Sequence, residues 1–242
     1  MDTKKNIARF EAELAKVQRP GMDKLLEYIQ KSDFYKAPAS TKFHLSVPGG
    51  LLQHSLNVLD AMRGLLIFNT ITREWDYCVA GRIVATISDE SLTIMALLHD
   101  ICKTYFYTKG FRWYKDDKNK WQQAPTFNID DKMPLGHGSK SAMLIKEYIH
   151  LETPEMYAIW WHMGAEDNTL QFYQAVEKFP IIWAVHTADV MASHFMEDTG
   201  GNRELFMEAA APAGEYADNP TVNDTDAPPD FQEAPPLLEP GA

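Results

Sequence analysis

The sequence predicts an all-α bundle of about six to eight helices that carries one small inserted β-hairpin. Three observations predict it. Apolar residues recur at helical spacing in segments spread over most of the chain. Residues 92–104 are apolar around most of a helix circumference, which reads as a central, buried helix. A single stretch, residues 105–121, breaks the pattern with aromatic residues clustered about a polar turn.

In chain order, residues 4–17 place Ile7, Phe10, Leu14 and Val17 on one helical face, and Pro20-Gly21 ends that helix. A second helix is expected from Met22 to Lys31. Residues 34–50 are rich in Pro, Ala, Ser and Gly and read as an ordered loop. Gly49-Gly50 then opens an apolar helix through Leu51, Leu52, Leu56, Val58, Leu59 and Met62. After the helix at 92–104, Tyr105, Phe106, Tyr107, Phe111, Trp113, Tyr114 and Trp121 surround Asp116-Asp117-Lys118-Asn119-Lys120, the pattern of a hairpin. Helices are expected again at 137–149, 154–162 and 180–196, with Pro154 and Pro180 suited to first helical positions. Residues 1–32 read as helices packing on the bundle, 33–200 as the main domain, and 201–242 as an acidic, largely disordered tail.

The net charge of −11 is unevenly placed. Eleven of the 34 acidic residues and one of the 23 basic ones lie from Glu197 onward, so the chain ahead of Glu197 is nearly neutral at −1. A neutral body lacks the electrostatic footprint of a duplex nucleic-acid binder. Cys78 and Cys102 form no metal-type pair and no disulfide framework, and with no apolar run of membrane length a reduced, cytoplasmic setting away from membranes is expected.

The chemistry concentrates in histidines. His54, His99 and His162 sit at the edges of apolar runs, in Leu51-Leu52-Gln53-His54, Leu97-Leu98-His99-Asp100 and Ile159-Trp160-Trp161-His162. A buried imidazole or carboxylate is costly unless it is paired, hydrogen-bonded or metal-bound. One such residue is ordinary; several on separate helices point to a shared polar centre. Adjacent helical residues such as His99 and Asp100 diverge by about 100°, so they flank an ion where helices converge rather than chelate it face-on. Imidazole and carboxylate together suit Mn, Fe, Co, Ni or Zn, and a water between two such ions becomes a nucleophile near neutral pH.

The order His54, His99-Asp100, Asp189 resembles the H…HD…D motif of the HD superfamily of metal-dependent phosphohydrolases. Gly49-Gly50-Leu51-Leu52-Gln53-His54-Ser55, Leu97-Leu98-His99-Asp100-Ile101-Cys102-Lys103 and His186-Thr187-Ala188-Asp189 are similar to that superfamily's ligand segments. Gly136-His137-Gly138 and Trp161-His162-Met163-Gly164 resemble the two further histidines of its binuclear members. With Ala37-Pro38-Ala39-Ser40-Thr41-Lys42-Phe43-His44, the likeness is closest to the HD domain of bacterial 3′–5′ exoribonucleases, without the OB-type domain those enzymes carry.

The resemblance implies an HD-type helical bundle that binds one or two divalent transition ions. His54, His99, Asp100 and Asp189 would hold the first ion, with Asp100 bridging to a second held by His137 and His162. Lys103 would face the substrate phosphate, and Asp100 and Lys103 would be the catalytic pair. Cys102 stands where the family usually has glycine. His44, in the loop ahead of the first ligand helix, and His186, three residues before Asp189, are further candidates for substrate contact.

The expected reaction is phosphoester hydrolysis on a small phosphorylated substrate, a nucleotide above all. One alternative is a 3′–5′ exonuclease on single-stranded nucleic acid, which calls for a basic groove leading to the metals; the aromatic residues at 105–121 could stack a base, but packing within the hairpin is the favoured reading of them. Another is a non-catalytic module binding a nucleotide or a partner, which calls for a missing ligand, whereas this chain has all six. Neither motif nor composition sets the oligomeric state.

Overall fold

Eight helices and two antiparallel sheets make up the computed structural model, which describes residues 2–41, 43–165 and 169–197, the Arg112 side chain excepted. The expected all-α class is therefore corrected to a mixed helical and β architecture. The segment 201–242, expected to be disordered, lies outside the described residues.

Helices α1 (Thr3–Leu14) and α2 (Met22–Lys31) come first. Asp2 caps α1 by accepting from Lys5 N. Between the helices Gly21 takes φ +91°, and a Cβ there would meet the Tyr148 carbonyl oxygen at 2.0 Å. Only glycine allows that turn and that approach. The central bundle is α3 (Gly50–Leu65), α4 (Asp89–Leu98), α6 (Thr153–Trp160) and α8 (Ile181–Met191). Helix α3 packs on α4 and α8, and α6 touches both α4 and α8. Leu51, Leu52, Leu56 and Leu59 of α3 and Leu92, Met95, Leu97 and Leu98 of α4 are fully buried in one core. Helix α1 lies against α3 and α4. Helix α5 (His137–Lys146) rests on α6, and α7 (Thr169–Lys178) on α8.

The β content has two sources. Residues 66–88, to which the helical-period reading assigns no element, form a meander of β1 (Ile67–Asn69), β2 (Glu74–Val79) and β3 (Arg82–Ser88). Its β2–β3 turn has positive φ at both Ala80 (49°) and Gly81 (75°), the geometry of a two-residue hairpin. The asparagine or aspartate that usually marks such a turn is absent. Apolar residues also occupy both faces of this sheet. Trp75, Tyr77, Ala85 and Ile87 pack on the core, while Ile67, Val79 and Ile83 are exposed. That arrangement erases the two-residue alternation by which strands are read. The second sheet is the hairpin β4 (Tyr107–Lys115) with β5 (Trp121–Ile129). Asp116 closes its turn by accepting from Lys118 N and Lys120 N.

Several expected helices end before their apolar patterns do, and two of these early stops bear on the site. The segment 92–104 ends as an α-helix at Leu98, with His99 as its C-cap and a 3-10 turn over Ile101–Lys103. The segment 154–162 ends at Trp160, and Gly164 at φ +84° completes the reversal. Both stops fall beside a histidine that matters below. The segment 180–196 divides into α8 and a π-helical turn, Ala192–Met196.

The N-terminal helices are tied down by a buried ion pair. Arg19, between α1 and α2, makes a bidentate pair with Glu155 of α6 at 2.6 and 2.5 Å, and Glu155 is 1% exposed. The same carboxylate accepts from Glu152 N in a capping box at the start of α6. Removing one partner of a buried pair strands the other charge, at a cost of about 3–5 kcal/mol. Arg19→Met is thus expected to lower the urea midpoint by the equivalent of about 3 kcal/mol or more. Lys16→Met, which removes a half-exposed lysine from Glu13 but leaves that carboxylate its bidentate pair with Arg63, should cost about 1 kcal/mol or less.

Candidate metal centre

Four helices deliver the site. His54 sits on α3, and its placement begins five residues earlier. Gly49 takes φ +80° to start the helix, and a Cβ on Gly50 would meet the Leu45 carbonyl oxygen at 2.1 Å. The Gly49-Gly50 pair thus lets the 34–49 loop lie directly on the first turn of the ligand helix. His99 and Asp100 follow α4, His162 follows α6, and Asp189 is on α8.

The helix stops noted above explain how adjacent residues share one target. On a continuous helix His99 and Asp100 would diverge. With Asp100 at φ −109° and ψ 16°, outside the α-helix, Asp100 Oδ2 comes within 3.5 Å of His99 Nε2. His99 and His162 are also held alike. Each ring directs Nδ1 at the carbonyl three residues back, His99 to Ala96 O at 2.9 Å and His162 to Ile159 O at 2.7 Å. A carbonyl only accepts, so Nδ1 carries the proton and Nε2 presents a lone pair. These bonds also satisfy carbonyls that a helix C-terminus leaves without an intrahelical donor. His54 is turned the same way by Glu197, whose Oε1 lies 2.9 Å from Nδ1.

Three imidazoles therefore point Nε2 inward. His54 Nε2 lies 3.2 Å from His99 Nε2, 3.1 Å from Asp189 Oδ1 and 3.7 Å from Asp100 Oδ2. His162 Nε2 lies 3.5 Å from Asp100 Oδ1. All five residues are buried or nearly so. Asp100 Oδ1 and His162 Nε2 are buried with no hydrogen-bond partner.

These buried groups can hold a metal ion. Donor atoms of His54, His99 and Asp100 lie within 4.8 Å of one another, as do those of His99, His162 and Asp189. Two donors each about 2.1 Å from a common ion, at about 100° to each other, stand about 3.2 Å apart, which is the His54–His99 separation. The unpartnered atoms of Asp100 and His162 are the ones such an ion would satisfy. The donor set fits a transition ion better than an all-oxygen site would.

The protonation of the site agrees. Burial pushes the His54 pKa down, but Asp189 and Glu197 on its two sides outweigh that and lift it to about 10. The two carboxylates thus favour a cationic His54, and a metal ion held at Nε2 would take the place of that proton. Burial holds His99 below the ordinary histidine range, so its lone pair is free at neutral pH. Asp100 is held well below the usual carboxylate range, because Lys103, His99 and His162 outweigh the cost of its burial. Lys103 Nζ lies 2.6 Å from Asp100 Oδ2 and donates to Ala39 O at 2.9 Å.

The sequence candidates therefore divide. His54, His99, Asp100, His162 and Asp189 converge, and Lys103 adjoins them. His137, expected on a second ion with His162, joins none of these donor groups among the described residues. It opens α5, with Nδ1 3.7 Å from Cys102 Sγ and its ring edge-on to Phe106, and it lines a cavity of about 150 Å³ with Lys140, Trp161 and Gly164. His186 bonds the His162 carbonyl at 2.6 Å and lies under Gly164, where a Cβ would meet its ring at 3.1 Å. It braces the turn after His162. His44 bonds Glu197 and meets the His54 ring edge-on at 4.9 Å. Burial, and Asp100 beside it, push the Cys102 thiol up to about 12, which holds it protonated.

Glu197 is the residue that sequence reasoning missed. Its side chain is 0% exposed, yet its charge reads as the start of the acidic tail. The available signal was its position, closely following the helix that carries Asp189.

No family model, curated protein or solved structure matches the chain. The functional reading therefore rests on the geometry and the motif resemblance. Among the described residues, no helix is long and apolar enough to cross a membrane.

Protein purified without chelator is expected to contain bound transition metal by elemental analysis. His99→Ala and Asp189→Ala should each lose it while keeping their helical circular dichroism. A metal held at about 100 times its dissociation constant should add about 2.7 kcal/mol of stability to the wild type, removable by chelator.

Proposed function

We propose that the protein is a metal-dependent phosphohydrolase of the HD type acting on a small phosphorylated compound, with nucleotides the favoured class. The observation that carries the reading is the convergence of His54, His99, Asp100, His162 and Asp189 with a buried lysine at their edge. Such a constellation joins cation-binding groups to a fixed positive charge, the two things that hydrolysis of a phosphoester uses.

The bound ion would supply Lewis acidity and an acidified water. The chain's own residues do the rest. His54, His99 and His162 enter with their tautomers already set by outward hydrogen bonds, so little reorganisation accompanies binding. Asp100 offers its two oxygens to different neighbours, Oδ2 toward His54, His99 and Lys103, and Oδ1 toward His162. That splitting suits a bridging role should a second ion bind. Lys103 is kept charged by Asp100 beside it, in spite of burial. An ammonium has three donors, and Asp100 and Ala39 engage two of them. Among the described residues the third is left for a phosphoryl oxygen, and Tyr107, which also donates to Ala39 O at 3.2 Å, closes that side of the site.

The near-neutral body favours a small substrate over a long nucleic acid, since no excess of basic residues marks a track for a phosphate backbone.

The deciding assay is phosphate release from a panel of nucleotides, dinucleotides and short oligonucleotides with Mn²⁺. Activity on mononucleotides is expected to exceed that on oligonucleotides. Asp100→Ala is expected to abolish turnover with helicity intact. Lys103→Met should lower it about 100-fold or more while metal content is retained. Full turnover in Asp100→Ala, or no hydrolysis of any panel member by metal-loaded wild type, would refute the assignment.

A further inference from the structure

His54 differs from the other two inward-facing imidazoles in what holds its outer nitrogen. His99 and His162 bond neutral backbone carbonyls. His54 bonds a carboxylate, Glu197, whose side chain is fully buried and whose hydrogen-bond partners among the described residues are His44, His54 and Asn57. Glu197 Oε1 lies 2.9 Å from His54 Nδ1 and accepts from Asn57 Nδ2 at 3.0 Å. Its other oxygen is bonded to His44 Nδ1. Burying a carboxylate is expensive, and three donors converging on one side chain is the arrangement that offsets it.

The path of the chain makes this placement specific. Asp189 Oδ1 lies 3.1 Å from Nε2 of the same ring that Glu197 holds by Nδ1. Eight residues on a straight α-helix span about 12 Å, far more than the width of an imidazole. The π-helical turn Ala192–Met196 packs on α3 and leads Glu197 back over His54. One short segment thus grips one imidazole from both sides.

We propose that Glu197 is a positioning residue of the metal centre. It fixes the His54 tautomer, aims Nε2 at the ion and, as an anion, makes His54 a stronger donor than His99 or His162. Metal affinity then depends on a residue beyond the last ligand helix. The inference rests on the metal-centre reading, and its test is kept to metal binding, with no substrate.

The experiment is titration of the full chain with Co²⁺ and Mn²⁺ alone, by calorimetry and by the visible spectrum of the Co²⁺ form. Glu197→Gln keeps an acceptor for Nδ1 but removes the charge, and is expected to weaken binding by about 10-fold. Glu197→Ala removes both and should weaken it by up to about 100-fold, with a shifted Co²⁺ spectrum. His44→Ala, which spares the Glu197–His54 hydrogen bond, should lose less than Glu197→Ala. Glu177→Gln, an exposed acid on α7, should match the wild type. The metal-free Glu197→Gln protein should unfold within a few degrees of metal-free wild type, which separates positioning from folding.

Wild-type affinity and spectrum in both Glu197 variants overturn the inference while leaving the metal centre standing. So does a loss in His44→Ala as large as that in Glu197→Ala. Failure of the wild type to bind either ion overturns the metal-centre reading itself and this inference with it.

Discussion

The structure depends on one electrostatic constraint: three imidazole nitrogens and two carboxylates meet in the core with their lone pairs facing each other. Lone pairs 3.2 Å apart, as on His54 and His99, repel unless a proton or a cation lies between them. In water the repulsion would be dissipated by solvation. Here the groups sit among fully buried leucines of α3 and α4, where it is not. Two helix ends add to the same demand. Helices α4 and α6 terminate beside His99 and His162, so their partially negative C-termini face the same volume. The Lys103 ammonium, 2.6 Å from Asp100 Oδ2, offsets part of this demand, and the remaining lone pairs and carboxylates can hold a cation.

That constraint also explains where the helices stop. The apolar residues of the first half of 92–104 and of 154–160 sustain a helix; the local sequence gives no reason for a break at His99, while Gly164 marks the one after Trp160. Each break lets a histidine spend Nδ1 on its own helix's terminal carbonyl and keep Nε2 for the centre. The loss of an intrahelical bond at each C-terminus is offset by the side chain that replaces it. Glycine makes the reversals possible where they are tightest: Gly164 adopts positive φ after His162, and Gly138 allows α5 to approach so closely that a Cβ would lie 2.0 Å from the Trp160 carbonyl oxygen.

The parts of this arrangement legible in the sequence are those with a local cause. Histidines at the edges of apolar runs signal costly burial in need of a shared partner, and Gly49-Gly50 signals a tight entry to α3. Helices α1, α2 and α3 carry plain apolar periods. What was not legible has a nonlocal cause. The meander β1–β3 exposes apolar residues on its outer face and turns at Ala80-Gly81 without the usual polar residue, so neither period nor turn chemistry marks it. Helix α7 has few buried positions, Phe172 and Ala175 among them, and its pattern is correspondingly faint. His137 lies in a segment that resembles a ligand motif, yet its ring is turned to Cys102 and Phe106. Spacing places a residue on an element but does not aim its side chain.

Glu197 carries the same lesson into electrostatics. In composition it is one more acid in an acidic run, and counting charges assigns it to the solvent. In the fold its side chain is shut off from solvent, and His44, His54 and Asn57 replace the water it lost. Its pKa falls to about 2 although burial alone would raise it, because those donors outweigh the desolvation. A carboxylate held ionised in the core fixes the state of the group it touches. For His54 that means a proton kept on Nδ1 and Nε2 turned to the interior, so the charge that seemed to belong to the tail acts instead on the geometry of the centre.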